Sequence, residues 1–285
     1  MRRLTLALIL LGLASTPVSA AVVTIPQTAL VPSTTYYTDV IGGGIGPVAV
    51  MTGGGNAANV GVASGRNDDG FMGPVTLGFS LAFFGNTYTQ FFANNNGNIS
   101  FNAGIAAFTP TGPTGATVPI ISPFFADVDT RNEASGVMHI RKDISNELIV
   151  TWDAVGYFGS HADKLNSFQL VVRGPGFSIP SGEGAIGFFY KGMQWETGDQ
   201  SGGIGGFGGT QAAVGFGDGS GNGKVLQGSI ASGISGVVNN HHIWFDVALQ
   251  AIPPPSQGPV PEPASLLLLG SGLVAVGLTR LRRRA

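Results

Sequence analysis

Cysteine is absent from this 285-residue chain. That removes disulfide staples, thiolate metal ligands and cysteine nucleophiles, so stability has to come from core burial, which a chain of this length can supply. Charge is scarce too: 11% of residues are Asp, Glu, Lys or Arg, and the net charge is −2. Six of the 14 basic residues lie at the two ends (Arg2, Arg3, Arg280, Arg282, Arg283, Arg284), which leaves the body acidic. Without a clustered basic face, phosphate neutralisation is lacking, and nucleic acid is excluded as a partner. No stretch between residues 21 and 250 carries a convincing apolar stripe at helical spacing. No serine stands in the G-x-S-x-G strand-to-helix context of an α/β hydrolase.

The two ends carry addresses instead. Arg2 and Arg3 precede an apolar run from Leu4 to Ala14 and the small-residue site Val18-Ser19-Ala20. Residues 1–20 therefore read as a secretory signal peptide cleaved after Ala20. A Pro-rich linker occupies 251–260 and reads as a stiff, extended spacer. It leads to the triplet Pro261-Glu262-Pro263, a 16-residue apolar run from Ala264 to Thr279, and the cluster Arg280, Arg282, Arg283 and Arg284. Such a run partitions into lipid while the arginines stay cytoplasmic. It falls short of the roughly 20 residues needed to span a bilayer, so a single apolar helix over 264–279 is expected to hold the protein in the membrane only transiently. An ordinary single-span anchor is the alternative. The arrangement of 261–285 resembles the PEP-CTERM tail of exported proteins of Gram-negative bacteria. That resemblance implies cleavage near the triplet by an exosortase, with the secretion machinery as a further partner and the cell surface or extracellular space as destination.

Between the addresses the chain reads as strands. Glycine is abundant, at 46 residues, and breaks the sequence into short segments. From Val75 to Phe83 the apolar residues Val75, Leu77, Phe79, Leu81 and Phe83 alternate with Thr76, Gly78, Ser80 and Ala82, the pattern of a half-buried strand. Alternation returns at Leu148–Trp152, at Phe168, Leu170 and Val172, and at Ile243, Phe245, Val247 and Leu249, with Gly, Asn and Asp turns between. The fold class expected is all-β, an antiparallel β-sandwich over 68–250. Residues 21–67 are either a Gly-rich flexible leader or, through Val48–Met51, an edge strand of that sandwich.

The ordered landmarks resemble the NIDO domain, the extracellular module of nidogen, alpha-tectorin and certain membrane mucins. They run from Leu81–Tyr88 and Phe92–Phe101 through Pro119–Thr130, Val150–Tyr157 and Asn166–Val171 to Phe189-Tyr190, Gln194-Trp195 and Ala213–Gly219. The family's usual cysteines are missing. The resemblance implies a non-enzymatic surface or matrix interaction module, binding a polysaccharide or an extracellular protein, and supplies no established active site.

Candidate site residues are correspondingly few. Asp127 and Asp129 lie two apart at an expected strand end, so both carboxylates project from one face and suit a calcium ion. Turn chemistry, with Arg131 or Lys142 as counter-charge, accounts for them equally. Asp218–Gly223 imitates half an EF-hand loop, but Ser229 stands where a bidentate Glu is needed. Gly203, Gly205 and Gly208 fit a dinucleotide fingerprint by accident, since no helix is expected to follow. His241 and His242, as strand neighbours, point to opposite faces. Asp153, Glu183 and Glu196 are the acids to consider for the alternative function, a secreted carbohydrate-active enzyme. Trp152, Tyr157 and Trp195 are either core or exposed stacking platforms.

Overall fold

The computed structural model describes residues 20–253. Its first sheet contains β1 (Val22–Ile25), β3 (Gly53–Gly54), β4 (Gly70–Phe83), β5 (Asn86–Asn94), β6 (Asn98–Ser100), β7 (Pro119–Phe125), β12 (Ala213–Asp218) and β13 (Gly223–Leu226). The strands lie in the order β1-β13-β12-β7-β6-β5-β4-β3. The second sheet contains β2 (Val31–Pro32), β8 (Met138–Arg141), β9 (Glu147–Tyr157), β10 (His161–Arg173), β11 (Ile186–Met193) and β14 (His241–Phe245). Its order is β2-β14-β11-β10-β9-β8. Two five-residue helices accompany them, α1 (Tyr37–Ile41) and α2 (Ile234–Val238).

The inner faces meet in one apolar core, as alternation requires. In β4, Leu77, Leu81 and Phe83 are buried while Thr76, Gly78, Ser80 and Ala82 are exposed. Phe216 of the first sheet sits with its ring centroid 5.2 Å from that of Phe188 and 4.8 Å from that of Phe245, both in the second. The sandwich is all-β as expected, with one departure from antiparallel pairing: β1 runs parallel to β13, with Val22 opposite Gly223. β1 arrives from the far N-terminal end and not through a hairpin, so no tight turn dictates its direction.

Residues 21–67 supply strands to both sheets, since β1 and β3 are edges of the first and β2 an edge of the second. Val48 makes an isolated antiparallel bridge to His139. Tyr37 of α1 packs with Ile149, Val171, Phe189 and Trp244 on the outer face of the second sheet. That cover explains why β9 is buried at every position from Glu147 to Trp152.

The Asn-rich turn after β5 is interior. Asn94, Asn95, Asn96 and Asn98 are at most 1% exposed and Gly97 is buried with them, and Asn94 Nδ2 donates to Asn98 Oδ1 and Ser100 Oγ. Gly97 takes φ +77°, where a Cβ would lie 1.9 Å from the Phe124 carbonyl oxygen. The glycine is therefore demanded twice, by conformation and by space. The signal segment through Ser19 and the tail from residue 254, including the expected helix 264–279, lie outside the described residues. Among the described residues no helix is long and apolar enough to cross a membrane.

Candidate cation site

β7 ends at Phe125, and the chain bends before Asp127. Asp127 and Asp129 therefore leave the strand on an irregular segment and go to different partners. Asp129 serves the turn: its Oδ1 accepts from the Arg131 amide and Nε, both at 2.9 Å, and its Oδ2 from the Ser160 amide at 2.9 Å. Arg131 also reaches Asp68 Oδ2, 3.0 Å from Nη2. Lys142 takes no part, donating to the Thr76 carbonyl.

Asp127 turns toward the segment that enters β4. One carboxylate oxygen from each of Asp68, Asp69 and Asp127 lies within 4.8 Å of the others. The grouping is made by long-range pairing: Asp68 makes an isolated antiparallel bridge to Asp129, and the Thr130 amide donates to the Asn67 carbonyl at 3.0 Å. Asp69 takes φ +65°, a left-handed conformation that Asp tolerates better than most residues, and its Oδ1 accepts from Asn96 Nδ2 at 2.7 Å.

Burial makes this arrangement expensive for negative charge. Asp127 is 1% exposed and Asp68 6%. Burial first, and then the carboxylates of Asp69, Asp68 and Asp129, push Asp127 up to about 8. Burial and then Asp129 and Asp69 push Asp68 up to about 7, against the pull of Arg131. Burial also raises Asp69, while the Asn96 bond and Arg131 oppose it.

The buried polar atoms without hydrogen-bond partners concentrate here. They include both Asp127 oxygens, Asp68 Oδ1, both amide atoms of Asn67, Asn95 Oδ1 and Thr197 Oγ1. Asn95 is tied to this region through its amide, which donates to the Gly70 carbonyl, and its Nδ2, which donates to the Val128 carbonyl. Thr197 precedes Gly198, where a Cβ would lie 2.5 Å from Asp127 Oδ2. Sequence reasoning found Asp127 but missed Asp68 and Asp69. The available signal was an adjacent acid pair placed just before a strand in a chain with only 16 acids.

The other candidates are dispersed. Trp152, Tyr157 and Trp195 are at most 1% exposed and belong to the core. His241 and His242 open β14, with His242 stacked on Phe189 at 5.2 Å and His241 Nδ1 2.8 Å from the Asn239 carbonyl oxygen. Glu196 accepts from the Gly233 and Ser235 amides at the start of α2, Glu183 pairs with Arg173, and Asp153 accepts from the Tyr36 hydroxyl at 2.9 Å. Asp218 folds its own turn by accepting from the amides and side chains of Ser220 and Asn222. Gly203, Gly205 and Gly208 lie in turns with no helix after them. Ala20 is exposed. Pro261, Glu262, Pro263 and Arg280, Arg282, Arg283 and Arg284 lie outside the described residues.

The model of the nidogen-like domain matches residues 89–244, and that of the PEP-CTERM protein-sorting motif matches 259–284. Alpha-tectorin of Gallus gallus is 31% identical over 178 residues, covering 52% of this chain and 8% of its own length. Alpha-tectorin of Mus musculus is 32% identical over 180 residues, with the same coverage of 52% and 8%. Nidogen of Drosophila melanogaster is 26% identical over 195 residues, covering 55% of this chain and 14% of its own length. The chain thus spans a small fraction of the relatives it matches. No solved structure matches it.

Proposed function

This chain belongs to the nidogen-like domain family, and on that premise we propose that it is a non-enzymatic surface or matrix protein, exported and then sorted by an exosortase. Its sandwich serves as an interaction module for an exopolysaccharide or a protein of the extracellular or biofilm matrix. The observation that carries the reading is the coexistence, in one chain, of a nidogen-like β-sandwich and a PEP-CTERM motif. The expected signal peptide at 1–20 agrees with it.

The carbohydrate-active alternative calls for convergent carboxylates open to a sugar. Asp153, Glu183 and Glu196 are each engaged in separate structural contacts. The group that does converge, around Asp127, lies behind the surface, and it suits an ion better than a sugar ring.

Intact-mass spectrometry of the protein recovered from envelope and medium of an exporting host, with and without the exosortase, tests the sorting step. The expected species is trimmed near Ala20 and near Pro261 only when the enzyme is present. A species that keeps the arginine tail in every fraction would overturn it. Co-sedimentation of the trimmed protein with isolated exopolysaccharide tests the interaction. Retention on the polymer is expected, and release of a reducing sugar would favour the enzyme reading.

A further inference from the structure

We propose that Asp68, Asp69 and Asp127 form a buried calcium site that clamps the entry to β4 against the segment leaving β7. Calcium takes roughly six to eight oxygen ligands at about 2.3–2.6 Å. Oxygens on a sphere of that radius stand at most about 5 Å apart, and the three carboxylates satisfy this, with one oxygen each inside 4.8 Å.

The free valences match as well. Arg131 occupies Asp68 Oδ2 but leaves Oδ1 without a partner. Asn96 occupies Asp69 Oδ1 and leaves Oδ2. Asp127 keeps both of its oxygens. The Oδ1 atoms of Asn67 and Asn95, on segments bonded to the same strands, are also buried without partners and are the further hard oxygens available to such an ion. Acidic residues often cluster without binding anything. Here, however, Asp127 is 1% exposed, aims into the group, and has no hydrogen-bond partner on either oxygen.

Protonation alone is a poor answer to this geometry. A single proton at Asp127 answers one oxygen and leaves Asp68 Oδ1 and the Oδ1 atoms of Asn67 and Asn95 as they were, and buried unsatisfied acceptors are themselves costly. A divalent cation satisfies several of these atoms at once. Magnesium prefers a strict octahedron and retains waters, which a largely buried group of side-chain oxygens suits less well than calcium's adaptable shell. Bound calcium would also replace the covalent staple that a chain without cysteine lacks, because it joins residues almost 60 positions apart through its own ligands. This assignment is independent of where the protein is delivered.

The test uses the full-length chain in detergent, stripped with EDTA, desalted and titrated with calcium chloride to about 10 mM, since extracellular calcium modules bind at roughly 10⁻⁴–10⁻³ M. Calorimetric titration should show one saturable site, and thermal unfolding should move to higher temperature with calcium. Asp127→Asn should weaken binding at least about 100-fold and abolish the thermal shift, as expected for losing the most deeply committed carboxylate. If that variant fails to fold, Asp69→Asn, at a half-buried position, should weaken binding at least tenfold. Asp218→Asn, in the loop that imitates half an EF-hand, should bind like the parent. Absence of a saturable calcium response, an equal response in the Asp127 and parent proteins, loss of the response in the Asp218 variant, or a response to magnesium alone would overturn the site.

Discussion

Two buried charge clusters in this sandwich follow opposite rules. Around Arg173 every guanidinium nitrogen finds an acceptor: Nε bonds Glu147 at 2.9 Å, Nη1 the Gly184 carbonyl at 3.0 Å, and Nη2 the Tyr37 hydroxyl at 2.8 Å and Glu183 at 2.5 Å. The rings of Tyr37, Phe177 and Trp244 lie 4.3 to 5.0 Å from the guanidinium carbon and add cation–π attraction. Glu147 Oε1 is the one unsatisfied carboxylate oxygen of that network. Around Asp127, the carboxylates of Asp68, Asp69 and Asp129 share one guanidinium, that of Arg131, Asp127 has no cation acting on it among the described residues, and several oxygens go unanswered. A closed network of opposite charges is a structural device, whereas an open one of like charges destabilises the fold unless a ligand completes it.

Removing Arg173 should break the comparison hardest. Arg173→Met leaves Glu147 buried without its cation, and we expect a loss of about 3–5 kcal/mol in urea unfolding. Arg131→Ala removes the only side-chain cation bonded to Asp68 and Asp129 among the described residues, and should cost about 1.5–3 kcal/mol in EDTA. The deficit should shrink when calcium is added, which no exchange at Arg173 should show. Glu196→Ala orphans the amides of Gly233 and Ser235 at the start of α2, for an expected loss of about 1–2 kcal/mol by the same unfolding assay.

The smallest effect concerns acid. Partial burial works against ionisation of Asp218, but the bonds from Ser220 and Asn222 outweigh it and hold the carboxyl at about 2, below its ordinary 3.8. A depressed value stabilises the fold above the ordinary value and loses that contribution as pH falls toward 2. Asp218→Asn should therefore flatten the acid limb of the melting temperature between about pH 4 and pH 2, with a modest loss at neutrality that disappears as pH falls toward 2.

The strands were legible because alternation is local. Leu77, Leu81 and Phe83 announce the buried face of β4 whatever packs on it. The outer cover of the second sheet was not legible, because Tyr37 reaches Glu147, Phe189 and Trp244 across more than a hundred residues and nothing near Tyr37 in sequence signals it. The parallel docking of β1 was hidden for the same reason. One of the three acids of the candidate cation site showed in the sequence. Asp127 stood out through its spacing to Asp129, yet that spacing misassigned the partner, because the strand ends at Phe125 and the regular projection of side chains ends with it. Asp68 and Asp69 reach the site through long-range contacts, the bridge of Asp68 to Asp129 and the bond of the Thr130 amide to the Asn67 carbonyl, which a single sequence does not display.

The most direct measurement is urea unfolding of the parent chain, Asp127→Asn and Arg173→Met side by side at neutral pH in EDTA. If the acidic cluster is an open site, folding the parent without calcium must either take up a proton at Asp127, whose carboxyl is pushed up to about 8, or bury a repelled charge. Asparagine avoids both costs, so its midpoint should equal or exceed that of the parent while Arg173→Met falls well below. A midpoint for Asp127→Asn as low as that of Arg173→Met would show that Asp127 is a structural partner like Glu147, and would contradict the distinction between the two clusters.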